Sequence, residues 1–273
     1  MNTPNPITPR APAERRPLNI LLAEDNATNQ KLAVAILEKQ GYSVSVVNDG
    51  RQAIHAFETN DYDAVLMDMQ MPEVDGLEAT VAIRSFEKPS GRHVPIIALT
   101  ANAMTGDRDR CLQAGMDDYL SKPLRAGDLL AMIQRLVSKP PVARSAGATA
   151  PQTRPEILDD VFDYQASVQQ IGDDPELLVQ LVGVFLDQLP ALLPPLAAAV
   201  ESGDAASIRQ TAHALGSSVS VIAARRAKDV ARKLELMGLN ADLALAGETH
   251  AELIAEFNTL QSALNANPAL KAA

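Results

Sequence analysis

The chain has 273 residues, which is enough for two domains of ordinary size. Its formal net charge of −10 argues against a dedicated nucleic-acid binder, because such proteins carry a basic footprint. The single cysteine, Cys111, excludes an internal disulfide and any metal site built from several cysteines, and it fits a reducing compartment.

The N-terminal segment 1–17 is rich in proline and lacks the apolar stretch of a secretory signal, so we expect a disordered lead-in. The sequence shows no uninterrupted apolar span of about 18 residues, the length that a membrane helix needs. We therefore expect a cytoplasmic protein that does not enter a membrane.

Segment 18–138 alternates short apolar runs with longer amphipathic runs, a pattern typical of a parallel sheet covered by helices on both faces. The pattern predicts a doubly wound, five-stranded parallel (βα)5 domain of the α/β class. The predicted strands are Leu18–Ala23, Tyr42–Val47, Asp63–Met67, Val94–Leu99 and the weaker Asp117–Leu120. The predicted helices are Thr28–Gln40, Gly50–Thr59, Gly76–Phe86, Met104–Ala114 and Arg125–Val137.

The rest of the chain is predicted to be a linker, an all-α bundle and a short tail. Segment 139–155 is dominated by Pro, Ala, Ser and Thr without apolar periodicity, which indicates a linker. Segment 156–268 carries repeated helical stripes and predicts a helical bundle, followed by the tail 269–273. The predicted helices are Pro155–Ile171, Pro175–Leu189, Ala191–Ser202, Asp204–Ile222, Ala223–Leu239 and Ala241–Leu264.

Acidic residues end two of the predicted strands. Glu24 and Asp25 follow the first strand, and Asp68 follows the third. Ligands of an open parallel sheet bind at the carboxyl ends of its strands, where the strand order reverses. If the first and third strands are neighbours there, the three carboxylates converge and repel one another, and a hard cation such as Mg²⁺ relieves the repulsion.

Two further polar residues end the fourth and fifth strands at the same rim. Thr100 offers a hydroxyl and Lys122 an ammonium group. Together with a nucleophilic carboxylate and a metal, these groups would stabilise a phosphoryl group on Asp68 by neutralising the charge on its oxygens.

Residues 18–137 resemble response-regulator receiver domains in the motifs LLAEDN, DAVLMDMQMPEVDG, ALTAN and GMDDYLSKP. The resemblance implies that Asp68 is the phosphoacceptor and that Lys122 contacts the phosphate. It also implies a switch pair and a cis peptide bond before Pro123. The implied switch pair is Thr100 and Tyr119, and the implied Mg²⁺ ligands are Glu24, Asp25, Asp68 and the backbone carbonyl of Gln70.

His213 lies away from the apolar stripe of its predicted helix. At about 100° per residue, Ile208, Ala212 and Leu215 share one face, whereas His213 shares another with small residues such as Ser217. Taken alone, this pattern is typical of a solvated histidine. With a receiver-like domain on the same chain, we interpret it as a phosphorylated histidine that protrudes from a flat landing surface.

Residues 174–264 resemble histidine phosphotransfer (HPt) domains in DPELLVQLVGVFLDQLP and SGDAASIRQTAHAL. Members of that family commonly carry Lys-Gly three and four residues after the histidine, where this chain has Gly216-Ser217 in an ungapped alignment. With a one-residue gap, Gly216 matches the family glycine and the lysine is deleted. We hypothesise that Arg209, one helical turn before His213, supplies part of the missing positive charge.

These features predict a two-component phosphorelay protein. The expected partners are a histidine kinase and other receiver or HPt proteins. A linker of about 16 residues, up to about 50 Å long, also allows the two domains to meet within the chain. The sequence shows no glycine-rich ATP site and no basic helix-turn-helix, so we expect neither kinase activity nor nucleic-acid binding. The alternative is a receiver with a transfer-inactive bundle that serves as a docking module.

Overall fold

The computed structural model describes residues 16–101, 105–137 and 161–271. Most of the predicted lead-in 1–17, the whole linker 139–155 and the first residue of the predicted helix Met104–Ala114 lie outside the described residues. The described part consists of an α/β domain followed by a helical bundle.

The α/β domain contains one parallel five-stranded sheet in the order β2-β1-β3-β4-β5, which confirms the predicted doubly wound class. The strands are β1 (Asn19–Ala23), β2 (Ser43–Val47), β3 (Ala64–Asp68), β4 (Ile96–Thr100) and β5 (Asp118–Ser121). The helices are α1 (Ala27–Glu38), α2 (Gly50–Thr59), α3 (Gly76–Glu87), α4 (Thr105–Ala114) and α5 (Ala126–Val137). Because β1 and β3 are neighbours, the residues that follow Ala23 lie beside the end of β3.

Side chains that alternate along the strands form an apolar layer on each face of the sheet. Leu22 and Leu66 belong to the cluster that includes α1 and α5, whereas Leu21 and Val65 belong to the cluster that includes α2 and α3. Burial on both faces explains why these strands are almost continuously apolar.

Gly76 fixes the loop that connects the end of β3 to α3. A Cβ atom at this position would lie 2.1 Å from the carbonyl oxygen of Asp68 and 3.0 Å from Cγ of Met67. Only glycine therefore allows α3 to begin so close to the strand end. Asp75 and Glu78 complete this helix start with a capping box.

We expect Gly76→Ala to lower the free energy of unfolding by about 1–3 kcal/mol, because a methyl group must displace the backbone at Asp68. Urea denaturation measures the change. Gly183→Ala is the matched control, since its Cβ would meet nothing within 4 Å, and alanine favours a helix interior by up to about 1 kcal/mol. Equal stability of the two variants would contradict the steric account.

The bundle consists of five α-helices in the described residues. They are α6 (Tyr164–Gln170), α7 (Pro175–Ser202), α8 (Ala205–Val221), α9 (Arg225–Asn240) and α10 (Ala246–Ala266), and a 3-10 turn at Pro268–Leu270 follows them. Helix α7 packs against α8 and α10, and α8 packs against α9. The bundle therefore follows the predicted all-α class.

The prediction of separate helices at Pro175–Leu189 and Ala191–Ser202 was wrong, because α7 continues through Pro190, Pro194 and Pro195. A proline inside a helix costs about 3 kcal/mol, since it removes a hydrogen bond and crowds the preceding turn. The apolar stripe continues beyond the prolines in the buried residues Leu196 and Ala199. Tertiary packing of this stripe offsets the local cost.

Helix α7 is also, among the described residues, the one helix long and apolar enough by length and composition to cross a membrane. Polar residues such as Gln180 and Asp187 interrupt its sequence, so it contains no uninterrupted apolar span of the length expected for a membrane helix. In the structure its buried side chains, including Leu181 and Phe185, belong to the core of the bundle.

The bundle packs directly on the α/β domain. Helix α1 lies against α7 and α8, and a single apolar cluster extends from α1 into the bundle core. At one end of this contact, Lys39 forms an ion pair of 3.1 Å with Asp174, the N-cap of α7. The two domains therefore meet within the chain.

Candidate functional site

Three carboxylates meet at the carboxyl edge of the sheet. Glu24, Asp25 and Asp68 each offer an oxygen, and these oxygens all lie within 4.8 Å of one another. Glu24 and Asp68 are buried, with 1% and 2% of their surface exposed, and Asp25 is partly exposed. The strand order and the residues at the strand ends thus assemble the acidic cluster that the sequence indicates.

Lys122 supplies the positive charge closest to this cluster. Its Nζ lies 2.6 Å from Oδ2 of Asp68 and 2.7 Å from Oε2 of Glu24. Burial alone would lower the pKa of this ammonium group, but Asp68 and Glu24 hold the pKa above its ordinary value. The peptide bond between Lys122 and Pro123 is cis, as the family resemblance implies.

The cluster carries more negative charge than Lys122 balances. Burial and the neighbouring Asp68 together raise the pKa of Glu24 to about 7, against the opposing effect of Lys122. Oε2 of Glu24 approaches Lys122 as an ion pair but accepts no aligned hydrogen bond from the residues that the structure describes. Three carboxylates around one ammonium group leave an excess of negative charge, and a divalent cation that prefers oxygen ligands would balance it.

The other predicted site residues at this edge of the sheet are Thr100, Tyr119 and Gln70. Thr100 is buried at the end of β4, and its backbone carbonyl accepts a hydrogen bond of 2.7 Å from the N–H of Lys122. Tyr119 lies on β5 and packs, partly buried, against the apolar cluster on the α2 and α3 side of the sheet. The N–H of Gln70 donates to Oδ1 of Asp68 at 3.2 Å, which places this residue beside the cluster.

His213 lies on α8 and is not a protruding side chain. Only 11% of its side chain is exposed, and the neighbouring Ser217 is buried as well. The prediction of an open landing surface was therefore wrong for this arrangement, because α8 packs against α9 and against α1 of the α/β domain. The atom Nε2 is buried without a hydrogen-bond partner among the described residues.

The other ring nitrogen of His213 contacts a residue that the sequence did not indicate. Nδ1 lies 3.0 Å from Oε1 of Glu235, whose Oε2 accepts a hydrogen bond of 2.7 Å from Arg232. Burial opposes ionisation of Glu235, but its hydrogen bonds with His213 and Arg232 bring its pKa below the ordinary value. The sequence signal that could have indicated Glu235 is its position as an acid within the buried stripe of α9 formed by Ala231, Leu234 and Gly238.

Arg209 does not take part in this contact. It is exposed on α8, and within the described ranges no hydrogen bond or ion pair joins it to His213. Its backbone instead faces α9, where a Cβ atom on Gly238 would lie 2.6 Å from the Arg209 nitrogen. Any effect of Arg209 on His213 would therefore act through charge at a distance.

Contacts between the domains bring the acidic cluster and the histidine helix together. Nδ2 of Asn26, the residue after Asp25, donates to the carbonyl of Ala214 at 3.0 Å and to Oγ of Ser218 at 2.7 Å. The pKa of Asp25 is raised by burial and by Glu24, whereas Lys122 and, less strongly, His213 act to lower it. A cavity of about 200 Å³ beside the cluster is lined by Asp25, Asn26, Gln188, Leu192, Gln210, Thr211 and Ala214.

Comparison with known proteins assigns each part to a family. Residues 20–134 match the response regulator receiver domain, and residues 180–263 match the Hpt domain. The sensor histidine kinase GacS of Pseudomonas protegens is 32% identical over 210 residues, which cover 76% of this chain and 23% of the kinase. Hybrid signal transduction histidine kinase I of Dictyostelium discoideum is 44% identical over 128 residues, which cover 45% of this chain and 7% of that kinase.

A solved receiver domain of a sensor histidine kinase from Pseudomonas aeruginosa shares 50% identity, and the match covers 45% of this chain and 99% of that domain, with a TM-score of 0.42. That crystal structure contains a magnesium ion coordinated in the active site cleft. The chain thus spans less than a quarter of the length of either kinase above. It belongs to the response regulator receiver family over residues 20–134 and to the Hpt family over residues 180–263.

Proposed function

We propose that the chain carries phosphoryl groups between Asp68 and His213 as part of a two-component phosphorelay. The observation that carries this proposal is the direct packing of the acidic edge of the receiver domain against the helix that presents His213. Asp68 and His213, the two groups proposed to accept the phosphoryl group, thus belong to domains already in contact.

Acceptance at the receiver would use Asp68 as the nucleophile. Its carboxylate oxygen forms the new bond to phosphorus while the bond between phosphorus and the donor's leaving group breaks. Lys122, whose Nζ lies 2.6 Å from Oδ2 of Asp68, and the hydroxyl of Thr100 at the end of β4 would hold the oxygens of the phosphoryl group. We propose Tyr119 as the partner of Thr100 in the conformational switch of the family.

We propose Mg²⁺ as the cofactor, because three carboxylate oxygens lie within 4.8 Å of one another and carry an excess of negative charge. The proposed ligands are Glu24, Asp25, Asp68 and the backbone carbonyl of Gln70. When bound, the ion would neutralise charge on the phosphoryl oxygens. Lys122 alone neutralises one of the three carboxylate charges.

Transfer to the Hpt domain would use Nε2 of His213. Because Nδ1 faces the Glu235 carboxylate, the proton of the neutral imidazole stays on Nδ1, and the lone pair on Nε2 is available for attack on phosphorus. The bond between phosphorus and nitrogen forms as the bond to Asp68 breaks, which regenerates the Asp68 carboxylate. No proton has to leave the imidazole in this step.

We propose further that the domains extend over residues 18–138 and 156–268, joined by the linker 139–155, and that the protein works in the cytoplasm. A histidine kinase or another relay protein would supply or take the phosphoryl group. We assign the chain a phosphoacceptor and phosphotransfer role without its own ATP-dependent kinase activity, and no role on nucleic acid.

A second candidate function is a docking module without transfer. The Gly216-Ser217 pair and the burial of His213 favour it, because the family lysine is absent and the histidine is covered. The experiment is incubation of the full chain with Mg²⁺ and labelled acetyl phosphate, followed by acid treatment. Phosphohistidine is acid-labile and alkali-stable, so label of this kind supports the relay, and its absence leaves only docking.

We expect Glu235→Ala to slow phosphoryl transfer onto His213 by about 10- to 100-fold, as the loss of an orienting carboxylate beside a reactive histidine typically does. Glu235→Gln should be affected less, because its amide oxygen can still accept from Nδ1. Imidazole ¹⁵N shifts measure the tautomer directly, and the alanine variant should lose the Nδ1-protonated form.

The matched control for Glu235 is Glu252→Ala, which removes an exposed ion pair with Lys233 on the same bundle. If both alanine variants transfer at the wild-type rate, Glu235 has no orienting role.

For Arg209→Ala we expect a smaller loss of transfer rate than for Glu235→Ala, because no hydrogen bond or ion pair among the described residues joins Arg209 to His213. An unchanged rate of transfer onto His213 would eliminate the proposed charge effect of Arg209.

A further inference from the structure

A buried polar set joins the receiver domain to the bundle. Asn26 donates from Nδ2 to Ser218 Oγ at 2.7 Å, and Thr28 donates from Oγ1 to Gln188 Oε1 at 2.7 Å. Asn26, Thr28 and Ser218 are buried, and Gln188 is partly exposed. These hydrogen bonds lie beside the apolar contact between α1 and helices α7 and α8.

The orientation of the Asn26 amide is fixed by its other end. Its Oδ1 accepts from the backbone N–H groups of Thr28 at 3.0 Å and Asn29 at 3.2 Å, which caps the start of α1. An amide whose oxygen is held in this way must direct its NH₂ group towards the bundle. The cap of a receiver helix therefore presents a fixed donor to the Hpt domain.

The same set adjoins the acidic cluster on one side and the helix that carries His213 on the other. The N–H of Asn26 and Nδ2 of Asn29 donate to Oε1 of Glu24 at 3.3 and 2.9 Å. On the bundle side, the acceptors of Asn26 are the carbonyl of Ala214, which follows His213, and Ser218. These hydrogen bonds thus join residues beside Glu24 to residues beside His213.

We propose that Asn26, Thr28, Gln188 and Ser218 form a recognition set that matches this receiver domain to its own Hpt bundle. Apolar contact is non-directional and would accept many bundles. A bundle with apolar side chains at the positions of Gln188 and Ser218 would leave the Thr28 hydroxyl and one N–H of the Asn26 amide without their present partners, which disfavours that pairing. The inference rests on the proposed transfer from Asp68 to His213.

The test is an exchange of roles across the interface in the full chain. Asn26→Ser keeps a good helix cap but loses the amide donor. Ser218→Asn places the amide on the bundle side, where it meets the original Asn26. The double variant Asn26→Ser/Ser218→Asn restores a hydroxyl and amide pair with the roles reversed.

We expect each single variant to slow transfer from Asp68 to His213 at least fivefold and the double variant to recover to within twofold of wild type. Deuterium exchange of the α1 amides should rise in the single variants and fall again in the double variant. Transfer at the wild-type rate in both single variants overturns the inference. It is also overturned if the double variant is slowed by the product of the factors that slow the two single variants.

Gln188→Leu provides a second variant, at a residue whose hydrogen bonds among the described residues go to Thr28 and Ser218 and not to the acidic cluster or His213. It should also raise α1 exchange and slow transfer at least fivefold while Asp68 still accepts phosphorus from acetyl phosphate at the wild-type rate. Failure of wild type to form phosphohistidine would reject the proposed function, and the exchange measurements would still decide the recognition set. Unchanged α1 exchange in Gln188→Leu counts against it.

Discussion

Asp68→Asn is expected to abolish phosphorylation of the receiver domain by acetyl phosphate, with a loss on the order of 10³-fold or more. The amide is a poor nucleophile towards phosphorus, and the substitution also removes one negative charge from the cation site. Phosphorylation is measured as incorporation of label or as the mass of the intact chain. The loss should appear at every Mg²⁺ concentration.

The matched control is Asp63→Asn, because Asp63 lies directly before β3, at the opposite end of the strand from Asp68. It bonds Arg16 and the N–H of Asn19, and it has no contact with Glu24, Asp25 or Lys122 among the described residues. Asp63→Asn should therefore accept phosphorus at the wild-type rate. Equal labelling of the two variants would show that the nucleophile lies elsewhere.

His213→Gln is expected to remove the acid-labile label completely while Asp68 is still phosphorylated. Glutamine has no ring nitrogen that could form a bond to phosphorus, yet its amide can fill part of the space beside Glu235. In a time course, label on Asp68 should reach a higher level than in wild type, because transfer to the bundle no longer drains it.

His250→Gln is the matched control for this prediction. His250 lies on α10 of the same bundle, and its Nε2 is also buried without a hydrogen-bond partner among the described residues. If the buried nitrogen alone determined reactivity, both histidines would carry label. We expect acid-labile label to persist in His250→Gln, and its disappearance there would refute the assignment to His213.

The acidic edge of the receiver domain could be predicted from sequence because simple rules determine it. Apolar runs of strand length alternate with helices, and parallel strands carry their carboxyl ends to one edge. Once β1 and β3 are neighbours, Glu24, Asp25 and Asp68 have to meet. Lys122 follows from the same rule through β5.

The surroundings of His213 could not be predicted in the same way. Helical periodicity shows which face of α8 is apolar, but it does not show what covers the other face. Glu235 is 22 residues away and reaches the histidine only because α8 and α9 cross closely at Gly238. The contact with Asn26 depends on the packing of two domains, which no local pattern in either domain encodes.

The continuity of α7 shows a similar limit. Three prolines within one helix contradict local propensity, and the sequence therefore indicated a break near Pro190. The cost of a proline is local, whereas the gain from the buried stripe that includes Leu189 and Leu196 depends on the whole bundle. Only the folded arrangement shows which of the two effects is larger.

The most direct test of the account is the rate at which phosphorus moves from Asp68 to His213 as the protein is diluted. The full chain is labelled briefly with labelled acetyl phosphate and Mg²⁺, and the remaining acetyl phosphate is removed. Samples taken over time are treated with acid or with alkali, and the label that stays on the protein is measured. We predict that acid-labile label appears at the expense of the Asp68 label with a first-order rate constant that tenfold dilution leaves unchanged. A rate that falls in proportion to concentration, or label that never leaves Asp68, would contradict transfer within the chain.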